Sequence, residues 1–347
     1  MGKTKENRDV DFSILVEGAG TATAISVFKG LTCQNEYTYK TIGMDMDDFV
    51  AGKYFINKFY KSLPSKDEKY IDYVLDICKK ESVRLYIPII DYGFEKLSKS
   101  KEKFKKEGIY LMIADPDSIK ACTDKYLTYQ FFEKNSIPTP ETFLISEKEK
   151  VPADWKLIIK PRLGGRATLD VHPLDNKSEL DFYLKKSDNY IIQRFIEGTE
   201  FTVDGLNSLD GTIFINAVVR ERIETKGGLS VKIRMTEKKM AEKIKKYIEK
   251  ITTTLKLPGA YNIQGFTTLN GEIVFTEINP RFAGGHPFTI QAGLNSIKYI
   301  LDMLSKRNPR DIKKEIKLND NLKMVRYWNE IFVDGKSVWT WKNLIKK

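Results

Sequence analysis

The segment Tyr261 to Arg281, YNIQGFTTLNGEIVFTEINPR, constrains this chain more than any other stretch. Asn270-Gly271 lies between two runs rich in apolar and β-branched residues. A two-residue type I′ turn needs positive φ at both central positions, which Asn and Gly adopt at little cost. A hairpin turning on that pair sets Leu269 opposite Glu272, Gln264 opposite Glu277 and Asn262 opposite Asn279. Side chains two apart share a face of a strand. Asn262, Gln264, Glu277 and Asn279 are therefore predicted to project together, beyond Phe266 and Phe275 on the same face. One carboxylate with amide oxygens suits Mg2+, which keeps waters and takes further oxygens from phosphates; it holds a naked Ca2+ poorly. The alternative is an ordinary polar hairpin end in water. The polar groups' place at the end of an otherwise apolar strand, where sites gather, argues for a site.

Upstream, the texture is that of alternating strands and helices. FSILVE (12–17) runs through Gly18, Gly20 and Thr21 into a helical stretch, Ala22–Leu31. Amphipathic Tyr70–Lys80 precedes an apolar strand, Arg84–Ile90, and a charged helix, Phe94–Glu107, precedes another, Ile109–Ala114. Such alternation implies a doubly wound parallel sheet over residues 10–117. The third glycine of the dinucleotide fingerprint is absent, so Gly18 and Gly20 read as a tight turn. One helix is expected over Ser118–Asn135, capped by Asp117 and ended by Ile137-Pro138-Thr139-Pro140. From Trp155 onward strands dominate (LIIKP, YIIQRF, FTVDGL, TIFINAVV), with helices at 236–255 and from Pro287 to Leu304, and MVRYWNEIFV (324–333) reads as one more strand. The fold class is thus α/β followed by α+β.

The net charge of +11 invites a nucleic-acid partner, but the 58 Lys and Arg are interleaved with 47 Asp and Glu, as on solvated helix faces. No nucleic-acid groove is expected. No apolar run approaches the roughly 18 residues of a membrane span, and no signal peptide is apparent. Cys33, Cys78 and Cys122 are too far apart for a disulfide framework or a zinc site, so a reducing cytoplasm is expected. With only His172 and His286 present, nucleophilic hydrolysis of the Ser-His or Cys-His kind is poorly supported.

The run Glu277-Ile278-Asn279-Pro280-Arg281-Phe282, with Ala283-Gly284-Gly285 after it, resembles the ATP-grasp superfamily, in the branch like the carbamoyl phosphate synthetase large subunit. The resemblance covers roughly residues 117–304. It implies a Rossmann-like pre-ATP-grasp domain (10–117), a small lobe or lid (118–190) and a large lobe with a C-terminal strand (191–347). It also implies ATP and Mg2+, with Mn2+ as a substitute, and Gln264, Glu277 and Asn279 as metal ligands, the same three that the hairpin pairing brings together. Lys160-Pro161-Arg162-Leu163-Gly164-Gly165 is similar to the family's phosphate flap, which assigns Lys160, Gly164 and Gly165 to the nucleotide; Arg166-Ala167-Thr168 departs from the usual glycine and serine run. Lys125 matches an earlier phosphate-binding lysine. The stretch 193–204 resembles the hinge between lobes, with Gln193, Phe195 and Ile196 at the adenine and Glu200 at the ribose.

What the resemblance implies chemically is phosphorylation of a carboxylate to an acyl phosphate, which an amine then attacks. Lys160, Arg222 and Arg281 are the implied catalytic residues. Gly284, Gly285 and His286 fall on the substrate side, where His286 either serves an amine or caps a helix. Partners are small-molecule acids and amines, with neither nucleic acid nor membrane, and a homodimer is the assembly entertained. Bicarbonate activation, as in carbamoyl phosphate synthetase, stays open, although the resemblance covers one ATP-grasp unit where that enzyme uses two. A regulatory module that binds ATP without turnover is the other alternative.

Overall fold

Every residue of FSILVE is buried, as in a strand covered by helices on both faces. The computed structural model, which describes residues 10–164, 170–335 and 337–340, places this strand, β1 (Phe12–Glu17), at the centre of a parallel sheet. The order is β3-β2-β1-β4-β5, with β2 (Tyr39–Asp45), β3 (Lys58–Lys61), β4 (Leu85–Ile87) and β5 (Tyr110–Leu111). β2 and β3 are rich in Lys, Tyr and Thr and carried no strand expectation. β4 is shorter than the apolar run that predicts it, because the amides of Ile89 and Ile90 turn to the Glu17 carboxylate instead of a neighbouring strand.

Helix α1 (Ala22–Thr32) starts where the Thr21 hydroxyl accepts from the Ala24 amide at 3.1 Å, an N-cap bond. α2 (Tyr70–Lys80) buries Tyr70, Ile71, Val74, Leu75 and Cys78 on one face. The helix expected over 94–107 is two, α3 (Phe94–Lys99) and α4 (Lys101–Lys106), broken at Ser100, a residue type that favours helix ends over interiors. The helix expected over 118–135 is also two. α5 (Pro116–Thr123) begins with Asp115 at the cap position, so Asp117 lies in the first turn. Asp124 then adopts extended backbone, and its carboxylate accepts from the Tyr126 and Leu127 amides at 2.9 and 3.2 Å. This mid-run cap starts α6 (Lys125–Lys134) and makes Lys125 its first residue.

Two antiparallel sheets follow. The smaller has the order β6-β9-β7-β8, from β6 (Thr142–Leu144), β7 (Leu157–Pro161), β8 (His172–Leu174) and β9 (Tyr190–Arg194). With α7 (Leu180–Leu184) it encloses its own core, including Leu157, Ile159, Leu174 and Ile192. The larger has the order β14-β13-β10-β11-β12-β15. Its strands are β10 (Gly198–Asn207), β11 (Phe214–Lys226), β12 (Leu229–Met235), β13 (Ala260–Thr268), β14 (Ile273–Asn279) and β15 (Lys323–Val325). The smaller sheet thus keeps residues 190–194, and the larger begins at Gly198. Helices α5 and α6 send Ile119, Cys122 and Phe132 into the core that holds Phe201 and Phe275.

Helix α8 (Lys238–Thr254) covers the larger sheet with Ile244, Ile248 and Ile251, spaced to share one face, while its lysines point outward. Burying each isoleucine contributes about 1.5–3 kcal/mol. The helix expected from Pro287 to Leu304 divides at Gly293, whose φ is +106°, into α9 (His286–Gln291) and α10 (Ser296–Leu304). α1 packs on both, and Phe28 and Leu31 share a core with Ile297, Ile300 and Leu301. After α11 (Pro309–Glu315), the strand expected over 324–333 resolves into β15 and a hairpin of β16 (Ile331–Asp334) with β17 (Ser337–Thr340). Among the described residues no helix is long and apolar enough to cross a membrane.

Candidate active site

The hairpin of β13 and β14 pairs Asn262 with Asn279 and Gln264 with Glu277. The turn differs from the expected one. Thr268 pairs with Glu272 (N···O 2.9 Å), so Leu269, Asn270 and Gly271 together form the loop, with Gly271 at φ +78°. A bulge opposite Gln264 and Gly265 then skips Thr276 and restores the register. The two one-residue offsets cancel at the polar end and not at the apolar end. Phe275 therefore turns away into the core against Phe132 and Phe201, whereas Phe266 stays on the open face.

The pairing continues across the larger sheet. Glu277, Gln264, Thr202 and Arg220 occupy successive strands in one row. Asn279, Asn262 and Asp204 form the row on one side, and Phe266, Glu200 and Arg222 the row on the other. Because side chains alternate along each strand, all three rows face the same way. Opposite them stand Lys160, Gln193, Phe195 and Ile196 from the smaller sheet and its exit, enclosing a cavity of about 440 Å³.

Several charged groups gather around Glu277. Burial pushes the Glu277 carboxyl up, but Lys125, Lys160, an Asn279 hydrogen bond and Arg281 more than offset it and hold the pKa below its usual value. Asn279 Nδ2 donates to Glu277 at 3.1 Å, and Arg281 donates to Asn279 Oδ1 at 3.3 Å. Lys160, at the end of β7, is buried, and that burial lowers its pKa to about 8, with Glu277 opposing the shift and Lys125 adding to it. Lys125 Nζ donates to Gly164 O at 3.0 Å. The donors suit a divalent cation only in part. Among the described residues no three His, Cys, Asp or Glu come together to hold a metal. One ionised carboxylate beside amide oxygens fits Mg2+ that draws its other ligands from phosphate and water.

The remaining expected residues fall as follows. Gln193 Nε2 donates to Thr142 Oγ1 at 2.7 Å, and the Phe195 amide is committed to Lys156 O at 2.9 Å. Arg222 donates a short hydrogen bond to Glu200, whose carboxyl is still raised by burial. Gly164 borders a smaller adjoining cavity of about 160 Å³; Gly165, with residues 166–168, lies outside the described residues. Gly284 and Gly285 line the main cavity. His286 does not: it is 2 % exposed, it begins α9, and burial drops its pKa to about 4. Residues without a sequence expectation also meet here, above all Asp91, Thr202 and Arg220. Arg220 was legible in principle, since it is two positions from Arg222 and shares its face. Asp91 follows a parallel strand at its carboxyl end, where ligand sites of such sheets gather.

Comparison with known proteins agrees with this geometry. Residues 122–285 match a family model described as an ATP-grasp domain, and residues 14–112 match one described as a PylC-like N-terminal domain. The carbamoyl phosphate synthase large chain of Buchnera aphidicola is 28% identical over 232 residues, 61% of this chain and 21% of that one. The Clostridium acetobutylicum large chain is 25% identical over 276 residues, 72% of this chain and 25% of its own. The chain thus spans about a quarter or less of the length of these relatives. An L-amino acid ligase from Bacillus licheniformis shares the fold at a TM-score of 0.69 and 15% identity, covering 90% of this chain and 78% of that one. Two adjoining family matches and the ordered Glu277 row lead to one conclusion: residues 122–285 match an ATP-grasp domain, and the chain resembles the carbamoyl phosphate synthase branch of that superfamily.

Proposed function

We propose that the protein is an ATP-dependent ligase that phosphorylates a small-molecule carboxylate and passes the acyl group to an amine, releasing ADP and phosphate. The observation that carries this reading is the facing arrangement of Glu277, Gln264 and Asn279 on one sheet and Lys160 on the other, with Lys125 close enough to both to shift their charges. A bound Mg2+ would supply charge neutralisation between phosphate oxygens at Glu277, Gln264 and Asn279. Lys125 and Lys160 would spread the charge of the transferring phosphoryl group, and Arg281 would orient it; electrostatic positioning is the main contribution to phosphoryl transfer.

In the first step a substrate carboxylate oxygen attacks the γ-phosphorus and ADP leaves. In the second, the amine attacks the acyl carbon, phosphate leaves with the bond electrons, and the amine's proton passes to solvent. The hinge side of the cavity, with Phe195, Ile196 and Phe266, offers the apolar slot for adenine. Glu200 meets the ribose once its pairing with Arg222 opens. A cytoplasmic enzyme is consistent with the free thiols Cys33, Cys78 and Cys122, the last two buried. One neighbour of the same fold was solved as a domain dimer, and a homodimer is the assembly we propose.

The test is release of ADP and phosphate from Mg-ATP across pooled amino acids, amino sugars and small acids. Release that depends on a substrate pair supports the ligase. Nucleotide binding without release in any pool would instead favour a regulatory module.

A further inference from the structure

Strand β1 ends in a carboxylate that neither cavity uses. Glu17 is 4 % exposed and lines neither of them. An acid at such depth is costly unless its oxygens are hydrogen-bonded. Oε1 accepts from the Tyr70 hydroxyl at 2.5 Å, and Oε2 accepts from the backbone amides of Ile89 and Ile90, each at 3.1 Å. The Tyr70 hydroxyl lies 3.2 Å from that of Tyr86, on β4. All three donors to Glu17 are neutral. Burial raises its pKa, and the bonds from Tyr70, Ile90 and Ile89 oppose the rise.

The two amides belong to the chain leaving β4, which ends at Ile87. Buried amides must find an acceptor, and a side chain here takes the place of a neighbouring strand. The residue after Glu17 fixes the same loop from its other side. A Cβ at Gly18 would lie 2.8 Å from Ile90 Cδ1, so the glycine turn seats the Ile90 side chain while Glu17 holds its amide. Ile90 O accepts from the Gly93 amide at 3.0 Å, closing the single 3-10 turn Asp91–Gly93. Asp91 thus stands one residue beyond a doubly held Ile90, with its carboxylate on Arg281 at 2.9 and 3.2 Å. Arg281 Nη2 also donates to Asn279 Oδ1 at 3.3 Å.

We propose that Glu17 is a positioning residue of the ligase: by holding the Ile89 and Ile90 amides it sets the place of Asp91, and through Asp91 that of Arg281. The inference rests on the ligase reading and adds to it a residue that touches neither nucleotide nor substrate. The loop needs an acceptor at the right reach and not a charge, because its two donors are neutral amides. Aspartate keeps the charge but is shorter by one methylene, about 1.5 Å, more than a hydrogen bond tolerates. Glutamine keeps the reach. Its carbonyl oxygen can face the amides while its NH2 donates to the Tyr70 hydroxyl, which accepts as readily as it donates.

The experiment uses the full chain. Glu17→Asp and Glu17→Gln are each made alone and together with Asp91→Asn. ADP release from Mg-ATP is measured with the substrate pool that supports the wild type, MgADP binding is followed by calorimetry, and thermal melting confirms that each variant is folded at the assay temperature. Glu17→Asp is expected to lower kcat about tenfold or more, the scale of a misplaced catalytic group, with KM for ATP and MgADP affinity unchanged. Glu17→Gln is expected to keep kcat within a fewfold of the wild type. In the Asp91→Asn background Glu17→Asp should cost nothing further, because residues that act through one contact are not additive. A destabilised fold alone would give none of this dependence on Asp91. Full turnover in Glu17→Asp, additive losses in the double variant, or lost MgADP affinity overturns the inference and leaves the ligase intact. Glu17→Gln, isosteric with the wild type, overturns it by itself if its turnover falls as far as that of Asp91→Asn. A wild-type chain that binds no MgADP and releases no ADP with any pool overturns the ligase reading, and this one with it.

Discussion

Asp91 grips the guanidinium of Arg281 from the first domain, with its two carboxylate oxygens 2.9 Å from Nε and 3.2 Å from Nη2. The loop that carries Asp91 is itself held, because the buried Glu17 accepts from the Ile89 and Ile90 amides, both at 3.1 Å. A chain of contacts therefore runs from β1 to Arg281 and on to Asn279, across the boundary between the parallel sheet and the larger antiparallel one. The first domain thus reaches the site through the contact of Asp91 with Arg281.

Asp91→Asn keeps the shape of this contact and removes its charge. Turnover is expected to fall by about 10- to 100-fold, the scale of a misplaced catalytic group. The thermal midpoint should hardly move, since the Asp91 side chain is 39% exposed and such pairs contribute about 1 kcal/mol or less. ADP release and melting of the purified variant check both statements. Undiminished turnover would show that Arg281 is positioned without Asp91.

Lys160 provides a readout of nucleotide binding that does not depend on turnover. Its pKa of about 8 lies below the ordinary lysine value of 10.5, so between these limits the unfolded chain binds more protons than the folded one. Stability contributed by this group accordingly rises with pH through that window. A triphosphate beside Lys160 favours the charged form. Calorimetry near pH 8.5, repeated in buffers of different ionisation enthalpy, is expected to show proton uptake when MgADP or a non-hydrolysable triphosphate binds. Lys160→Met should bind weakly and without that uptake. Equal uptake in both proteins would place the titrating group elsewhere.

The polar end of the hairpin was legible because residue type and alternation both point to it. Gln264, Glu277 and Asn279 meet as expected even though the turn and the bulge each depart by one residue. Phe275 shows what alternation misses, for a bulge leaves no mark in apolar pattern and turns that ring into the core. Asp124 shows a different limit. A cap in the middle of a helical run looks like any surface aspartate until Arg162, 38 positions later, arrives to pair with it. Arg281 and Lys160 were found through motif, but Asp91 is 190 positions from Arg281, and nothing local announces that partnership.

His286 is expected to be a structural residue. Burial drops its pKa to about 4 from 6.5, so the folded state resists a proton that the unfolded chain accepts. Its contribution is intact above about pH 6.5 and is lost as pH falls toward 4, by about 3 kcal/mol over the window. His286→Gln should lower acid sensitivity measured by denaturant melts between pH 7 and pH 4.5. It should leave ADP release at neutral pH within a fewfold of the wild type. A loss on the scale of general-base catalysis, about 10²-fold or more, would return His286 to the chemistry.

Glu277→Gln removes one charge and almost no volume, which makes it the sharpest probe of the central row. Glu277 raises the pKa of Lys160, so without it Lys160 should titrate still further below its ordinary value. The proton uptake described for Lys160 should then appear at lower pH in the variant. Turnover should fall by about 10²-fold or more, as for loss of a preorganised electrostatic group, with the fold retained. Glu277 itself is held below the usual carboxyl pKa, so its own stabilisation is present above about pH 4.5 and fades as pH falls through the folded value. The variant should therefore differ least from the wild type in acid and most at neutral pH, when melts of the two are compared without nucleotide. A variant that keeps full turnover, with the Lys160 uptake unmoved in pH, would mean that Glu277 neither holds a cation nor faces Lys160 in the working enzyme.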